Sequence, residues 1–331
     1  MRTTPWSRCS STSPSGRIRP ISTRGRVMKT ILTALALILV LGGPALADDR
    51  LEVVCTVTDL GWLATEVGGD MVEVTVLCPG PRDPHFLPAK PSLARKLGRA
   101  DLLCYTGLEL EVGWLPVLMD KARNPRVRPG KPGDLDCSRA LETILEVPTG
   151  TVSRAQGDVH PQGNPHYLLD PRNGVRVARL MAERMAALRP AQAAAFRRRA
   201  DDLAAALATR IAAWHEQASS VAAHPLVIHT KQWEYLADWL GLDLMGAVEN
   251  RPGISPSPRH VDQLVDQARS RGVHLLIAAP WNHLDVARKA ADRMDATLII
   301  LPAAVQSLPT ATDYITMFDV IVAELTRPTG D

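Results

Sequence analysis

The stretch LEVVCTVTDLGWLATEVGGDMVEVTVLCPGPRDPH, residues 51–85, decides the fold. It opens with a β-branched apolar run, Leu51–Val57, continues through a helical segment at Gly61–Val67, and returns to a β-rich run at Val72–Leu77. Strand, helix and strand at this spacing make a βαβ unit and imply a parallel sheet. Binding loops in such sheets lie at the carboxyl ends of the strands. The Pro/Gly-rich turn that follows Val72–Leu77 delivers His85 just beyond such an end.

Working outward, Pro91–Leu97 reads as a short helix and Asp101–Tyr105 as a third strand. Residues 150–165 form a long loop rich in Gly, Pro, Asn and Gln that carries His160 and His166. Asn173 is placed to cap a helix over Gly174–Leu188, and Pro190 suits the first turn of a second helix running from Ala191 to about Ser219. At 1.5 Å per residue that helix is roughly 40 Å long, enough to span two lobes, and stiff. Strand and helix then alternate again. Leu226–Ile228 is a strand ending at His229, followed by a helix at Trp233–Leu240 and a strand at Asp243–Val248. A helix at Pro258–Arg271, a strand at Val273–Ala278, a helix at His283–Met294 and a strand at Leu298–Leu301 come next, with Asp313 capping a closing helix, Tyr314–Leu325. The halves share an architecture but no repeat of fixed period. The expected fold is α/β: two βαβ lobes with parallel sheets, joined by a long rigid backbone helix.

The first 47 residues read as a leader. From Met28 the chain runs MKTILTALALILVLGGPALA, with Lys29 as the positive start and Ala45-Leu46-Ala47 as a small-residue cleavage site. The apolar run is too short to span a bilayer, so 28–47 reads as a secretory signal peptide. Residues 1–27, rich in Arg and Ser and without acids, read as a start-site artefact. The expected division is then an N-terminal lobe over 48–189, a connecting helix over 190–220 and a C-terminal lobe over 221–331. The whole chain holds 38 Lys and Arg against 35 Asp and Glu, but the leader removes seven basic residues and no acid, leaving 31 against 35. The net basic charge belongs to the leader and gives no reason to expect nucleic acid as a partner. No cysteine follows the apolar run, so the expected product is periplasmic, released by signal cleavage, monomeric and without a lipid anchor. Cys55, Cys78, Cys104 and Cys137 remain, with no C-x-x-C among them; an exported chain has use for a disulfide here, but the spacing does not name a pair.

Three histidines stand in separate turn-like contexts: Asp83-Pro84-His85, Asn164-Pro165-His166 and Ile228-His229-Thr230. Neutral imidazole is the commonest side-chain ligand of zinc and similar metals. Groups so far apart along the chain meet only through the fold, so they point to a site built between parts of the molecule. Each has a plainer reading, as a turn or strand-end histidine. His215, His224, His260, His274 and His283 read as surface or helix residues, and Trp233, Tyr235 and Trp239 as a packed helix face shielding the site from water.

The segments GPRDPHFLPAKPS, RADLLCYTGLELEVGWLP, GDVHPQGNPHYLLDPRN, VIHTKQWEYLADWLGL and ENRPGISPSP occur in order over most of 51–325. Together they resemble the metal-specific solute-binding proteins of ABC importers, the zinc- and manganese-receiving type. The resemblance implies a metal site in the interlobe cleft, with His85, His166 and His229 as ligands. It also implies an Asp after the last strand, but here the run reads Thr297-Leu298-Ile299-Ile300-Leu301-Pro302-Ala303, with no acid before Asp313. Glu249 is the first substitute for the fourth ligand, His160 the second and Asp313, better placed as a helix cap, the third; a water is a further alternative. The implied function is capture of a divalent transition metal, zinc before manganese, as cargo for the transmembrane subunit of an ABC permease. The rivals are a metal buffer or chaperone, and a zinc hydrolase with an open coordination position. The hydrolase lacks an H-E-x-x-H motif or an acid tied to a ligand histidine. The protein is thus expected to be no enzyme.

Overall fold

β1 (Leu51–Cys55), α1 (Thr58–Gly68) and β2 (Val72–Val76) form the expected βαβ unit, with Leu51 opposite Val72 and Cys55 opposite Val76. The structure is a computed structural model, and it describes residues 50–149, 160–222, 224–249 and 254–327. The leader over 1–47 and residues 150–159 of the long loop lie outside the described residues. α1 sits close on β2: a Cβ at Gly61 would come within 2.4 Å of Val76 Cγ2. After α2 (Pro91–Leu97), β3 (Leu102–Tyr105) pairs with the other side of β1. α3 (Leu115–Ala122) then leads to β4 (Asp134–Asp136), giving the parallel order β2-β1-β3-β4. β1 is central and buried on both faces, which is why Leu51-Glu52-Val53-Val54-Cys55 reads as a nearly continuous apolar run.

The second sheet repeats the plan. β5 (Pro225–Thr230), β6 (Asp243–Glu249), β7 (Leu275–Ala278) and β8 (Thr297–Ile300) are parallel in the order β6-β5-β7-β8. Their connections carry α6 (Glu234–Leu240), α7 (Pro258–Ser270) and α8 (Leu284–Met294). In both sheets the first strand lies inside, so the winding reverses beside it, and the crevice at that switch point opens at the carboxyl ends of the strands.

Between the sheets run α4 (Pro171–Leu188), a single 3-10 turn at Pro190–Gln192, and α5 (Ala193–Ala218). α5 has 26 residues, about 39 Å. Near its start Arg199 Nε donates to Glu66 O in α1 at 2.7 Å. Near its end the Trp214 ring lies 6.3 Å from Trp239 of α6 and 5.3 Å from Phe318 of the closing helix, α9 (Tyr314–Leu325). One helix therefore contacts elements on both sides, with Trp214 and Phe196 fully buried along it. α9 follows the second sheet in sequence but packs back toward the first: Tyr314 stacks on Trp62 at 5.7 Å and donates to Leu168 O at 2.5 Å.

Three local expectations need correction. Asp170, not Asn173, caps α4: its Oδ1 accepts from Arg172 N at 2.8 Å, with Pro171 in the first helical position. Asn173 lies buried in the first turn, where its Nδ2 donates to Tyr167 O at 3.1 Å. β4 and α3 add to the expected elements: β4 is three residues, Asp134-Leu135-Asp136, and strand propensity disfavours Asp. Finally, His229 lies within β5 rather than just past its end. The cap Asp313 is as read, its Oδ1 accepting from Ile315 N and Thr316 N at 2.9 and 2.8 Å, and Ser257 Oγ accepts from His260 N at 3.3 Å at the start of α7. Cys55, Cys78, Cys104 and Cys137 are all free and buried.

Candidate metal centre

His85 is held by its own turn. Asp83-Pro84-His85 begins a 3-10 turn in which Asp83 Oδ1 accepts from His85 N at 2.9 Å. The turn is pinned from behind by the buried Trp114, whose Nε1 donates to Pro84 O at 2.8 Å. The same Asp83 oxygen lies 2.6 Å from His85 Nδ1. A carboxylate only accepts, so the ring proton belongs on Nδ1 and the lone pair on Nε2, the arrangement that prepares an imidazole for a metal. Nε2 points at His160 Nε2, 3.2 Å away.

His166 comes from the segment between the long loop and α4. Asn164 Oδ1 accepts from His166 N at 2.9 Å, and Asn164 Nδ2 donates to Lys231 O and Glu234 Oε2 at 3.2 and 3.1 Å. The turn that carries His166 is thereby tied to the loop after β5. The His166 ring centroid is 5.1 Å from that of His85. Burial, and then the neighbouring His85 and His160, hold the His166 imidazole well below its usual pKa. One ligand atom from each of His85, His160 and His166 lies within 4.8 Å of the other two.

The second sheet supplies the facing group. His229 is fully buried in β5, and neither ring nitrogen has a hydrogen-bond partner. Burial, with His283 nearby, pulls its pKa down to about 4, so it is a neutral base at physiological pH. Its Nε2 is 3.7 Å from Oε1 of Glu249, at the end of β6. A bulge aligns these strands: Leu226 pairs with Leu244 but Val227 with Gly246, which leaves Met245 without a partner and brings Thr230 opposite Glu249. A one-residue slip moves every later side chain to the other face, so the bulge decides where Glu249 points. The same Glu249 oxygen is 3.2 Å from Nδ1 of His283, the residue that starts α8.

A cleft of about 750 Å³ is lined by His85, His160 and His166 together with Thr230, Glu249 and His283. Of the residues named from sequence, the structure gathers His85 with His166 and His229 with Glu249. Asp313 lies elsewhere, with Oδ1 committed to the α9 cap. His160, ranked second from sequence, joins the first group. His283, read as a surface or helix residue, touches Glu249. Its only sequence signal was its place just beyond β7, at the carboxyl edge where sites in such sheets form.

The family described as ZnuA, zinc-uptake complex component A periplasmic, matches residues 53–327. The metal ABC transporter substrate-binding lipoprotein FimA of Streptococcus parasanguinis is 27% identical over 175 residues, 49% of this chain and 53% of that protein. This chain thus spans about half the length of that relative. The manganese ABC transporter substrate-binding lipoprotein PsaA of Streptococcus anginosus is 23% identical over 257 residues, 75% of this chain and 79% of that protein. The crystal structure of ZnuA superposes with a TM-score of 0.70 at 19% identity, covering 84% of this chain and 98% of that one, and so shares the fold. The relatives' names overturn one expectation. A periplasmic product without a lipid anchor was expected from the missing cysteine after the apolar run, yet both curated relatives are named lipoproteins. That expectation rested on the absence of one cysteine from a short segment outside the described residues, too narrow a basis against the naming of the relatives.

Proposed function

The chain belongs to the family of the zinc-uptake complex component A, and from that premise we propose that it is the substrate-binding protein of an ABC metal importer, capturing a divalent transition cation in the cleft and passing it to the permease. One observation carries the reading: His85, His160 and His166 each place a ligand atom within 4.8 Å of the other two. Three imidazoles suit zinc, whose nitrogen ligands stand at about 2.0–2.1 Å, and disfavour the hard cations Mg²⁺ and Ca²⁺. His229 and Glu249, supplied by the second sheet, complete the coordination when the two groups approach. The two sheets act as two lobes, 48–189 and 221–331, with 190–220 as the stiff link.

Zinc is the proposed cargo, because the donors are mostly nitrogen and Glu249 is the one carboxylate among the proposed ligands. Manganese is the second reading, supported by the name of the PsaA relative and disfavoured by its preference for oxygen donors. Ligand binding to the native state alone raises stability as RT ln(1 + [L]/Kd), about 2.7 kcal/mol at a hundredfold excess over Kd. Zinc should therefore raise the melting temperature of the protein, more than manganese at equal concentration, and the triple variant His85→Ala/His166→Ala/His229→Ala should lose the shift. An equal shift in the triple variant would sink the assignment of these histidines; a larger shift with manganese would reverse the choice of metal.

A further inference from the structure

The end of the first sheet away from the cleft carries a concentrated positive charge. The strands are parallel, so β1, β2, β3 and β4 all start at one edge, while His85 follows the end of β2 at the other. α2 and α3 both finish at the starting edge, and the segments after them lead into β3 and β4. Arg95, Lys96 and Arg99 lie in the last turn of α2 and just after it. Lys121, Arg123, Arg126, Arg128 and Lys131 lie between the last turn of α3 and β4. All eight are exposed. The two segments are bound side by side: buried Asn124 donates from Nδ2 to Leu97 O and Ala100 O at 3.0 and 2.7 Å, and Arg126 Nη2 donates to Arg99 O at 2.9 Å. The bases therefore share one surface.

Few acids offset them. Of the four in residues 95–131, Glu109 and Glu111 follow the carboxyl end of β3, and Glu111 is buried against Thr56, Thr106 and Gly107. Asp101 and Asp120 remain against eight bases. Among the described residues, Arg126 alone of the eight is in an ion pair, with Asp101 at 2.9 Å. Arg95, Lys96 and Lys121 complement the carboxyl ends of their helices, an effect confined to the last turn. It does not reach Arg99, Arg128 or Lys131. The chain beyond the leader is net acidic, 31 basic residues against 35 acidic, so this patch is a local feature and not the overall charge. β1 begins at Leu51 on the same edge, so the chain enters the body there. Clustered bases fit a surface of anionic lipid headgroups, where each Lys or Arg strengthens binding about fivefold.

We propose that this edge of the first sheet docks on an anionic membrane surface through lipid phosphate groups, which leaves the carboxyl ends of the strands, and the cleft, open to solution. The test is cosedimentation with vesicles of phosphatidylcholine alone or mixed in equal parts with phosphatidylglycerol. The protein used begins at Asp48, because residues 50–331 form one compact unit and the apolar run Ile31–Leu41 would enter vesicles by itself. Wild type should bind the mixed vesicles, ignore phosphatidylcholine alone, and be released at about 1 M salt, where the screening length is about 3 Å. The patch variant Lys96→Glu/Arg128→Glu/Lys131→Glu should bind at least about a hundredfold more weakly, and the neutral Lys96→Gln/Arg128→Gln/Lys131→Gln should fall between it and wild type. A control with the same change of charge on α7 and α8, Arg259→Glu/Arg269→Glu/Lys289→Glu, should bind as wild type does. Circular dichroism checks that each is folded. Inorganic phosphate at constant ionic strength should leave wild-type binding unchanged, because a surface reads many headgroups at once. Wild type that ignores the mixed vesicles overturns the proposal. So does a patch variant that binds like wild type, a control that loses as much, or release by inorganic phosphate, which marks a single-anion site. None of these outcomes touches the cleft reading, and zinc affinity should be the same in the patch variant and wild type.

Discussion

Replacing Asp83 by Asn keeps the turn that presents His85 and removes the charge behind it. Asn still offers an oxygen to His85 N, which Asp83 accepts at 2.9 Å, and it caps a turn as well as Asp does. What disappears is the charge assistance of the 2.6 Å contact to Nδ1. A hydrogen bond to an ionised group contributes about 1.5–3 kcal/mol net and a neutral one about 0.5–1.5. The loss is then about 1–1.5 kcal/mol, or roughly 5- to 13-fold in Kd. It overlaps the low end of the roughly 10- to 100-fold losses found when groups behind metal-bound imidazoles are replaced. Zinc affinity, measured by competition with a chelator at neutral pH, should weaken about tenfold in Asp83→Asn, with an unchanged melting temperature for the metal-free protein. Asp83→Ala should show the same weakening plus a loss of about 1 kcal/mol in stability from the missing cap. A zinc affinity in Asp83→Asn indistinguishable from wild type would refute the argument that Asp83 fixes the His85 tautomer for a metal.

Other outcomes follow from the same structure. His160→Ala should weaken zinc at least about tenfold, near 1.4 kcal/mol, in that titration; unchanged affinity would show that the three clustered imidazoles do not act together. Asp59 is buried and its pKa is raised to about 6, chiefly by burial. Because the folded value lies above the unfolded value of about 3.9, the contribution of Asp59 is complete below that value and is lost as pH rises through about 6, a change of up to about 3 kcal/mol. Asp59→Asn should remove that component from urea-unfolding profiles across this range, and profiles of the same shape in both proteins would contradict it. His229 acts oppositely: with its pKa lowered to about 4, its contribution is full above about 6.5 and is lost as pH falls toward 4, so His229→Gln should flatten the acid side of the metal-free profile. Trp214→Ala empties a buried site against Trp239 and Phe318 and deletes the 2.8 Å bond from Nε1 to Asp319, and should cost about 3–5 kcal/mol in the same unfolding assay. A loss under about 1 kcal/mol would mean that α5 is not anchored there.

Much of the fold was legible because each element carries its own local signal. The apolar runs at Leu51 and Leu226 are central parallel strands buried on both faces, and such strands read as near-continuous apolar segments. Ser257 and Asp313 precede their helices as side-chain caps, which act over three residues and are visible in any linear reading. Asn173 misled because two good caps, Asp170 and Asn173, stand three residues apart, and Pro171 favours the earlier start. The edge strand β4 was invisible because its three residues include two Asp, and only pairing with β3 makes them a strand.

By itself the sequence determined the two βαβ halves and the long helix between them, since hydrophobic period and turn chemistry are properties of neighbours along the chain; it set His85, His166 and His229 apart by residue type and turn context, and the family resemblance made them candidate ligands. Only the tertiary structure decided which histidines meet. His160 reaches His85 across 75 residues and His283 reaches Glu249 across 34. The bulge at Met245 sets the face on which Glu249 stands. Such distances depend on how two sheets and their loops converge at one cleft, and no local pattern encodes that convergence.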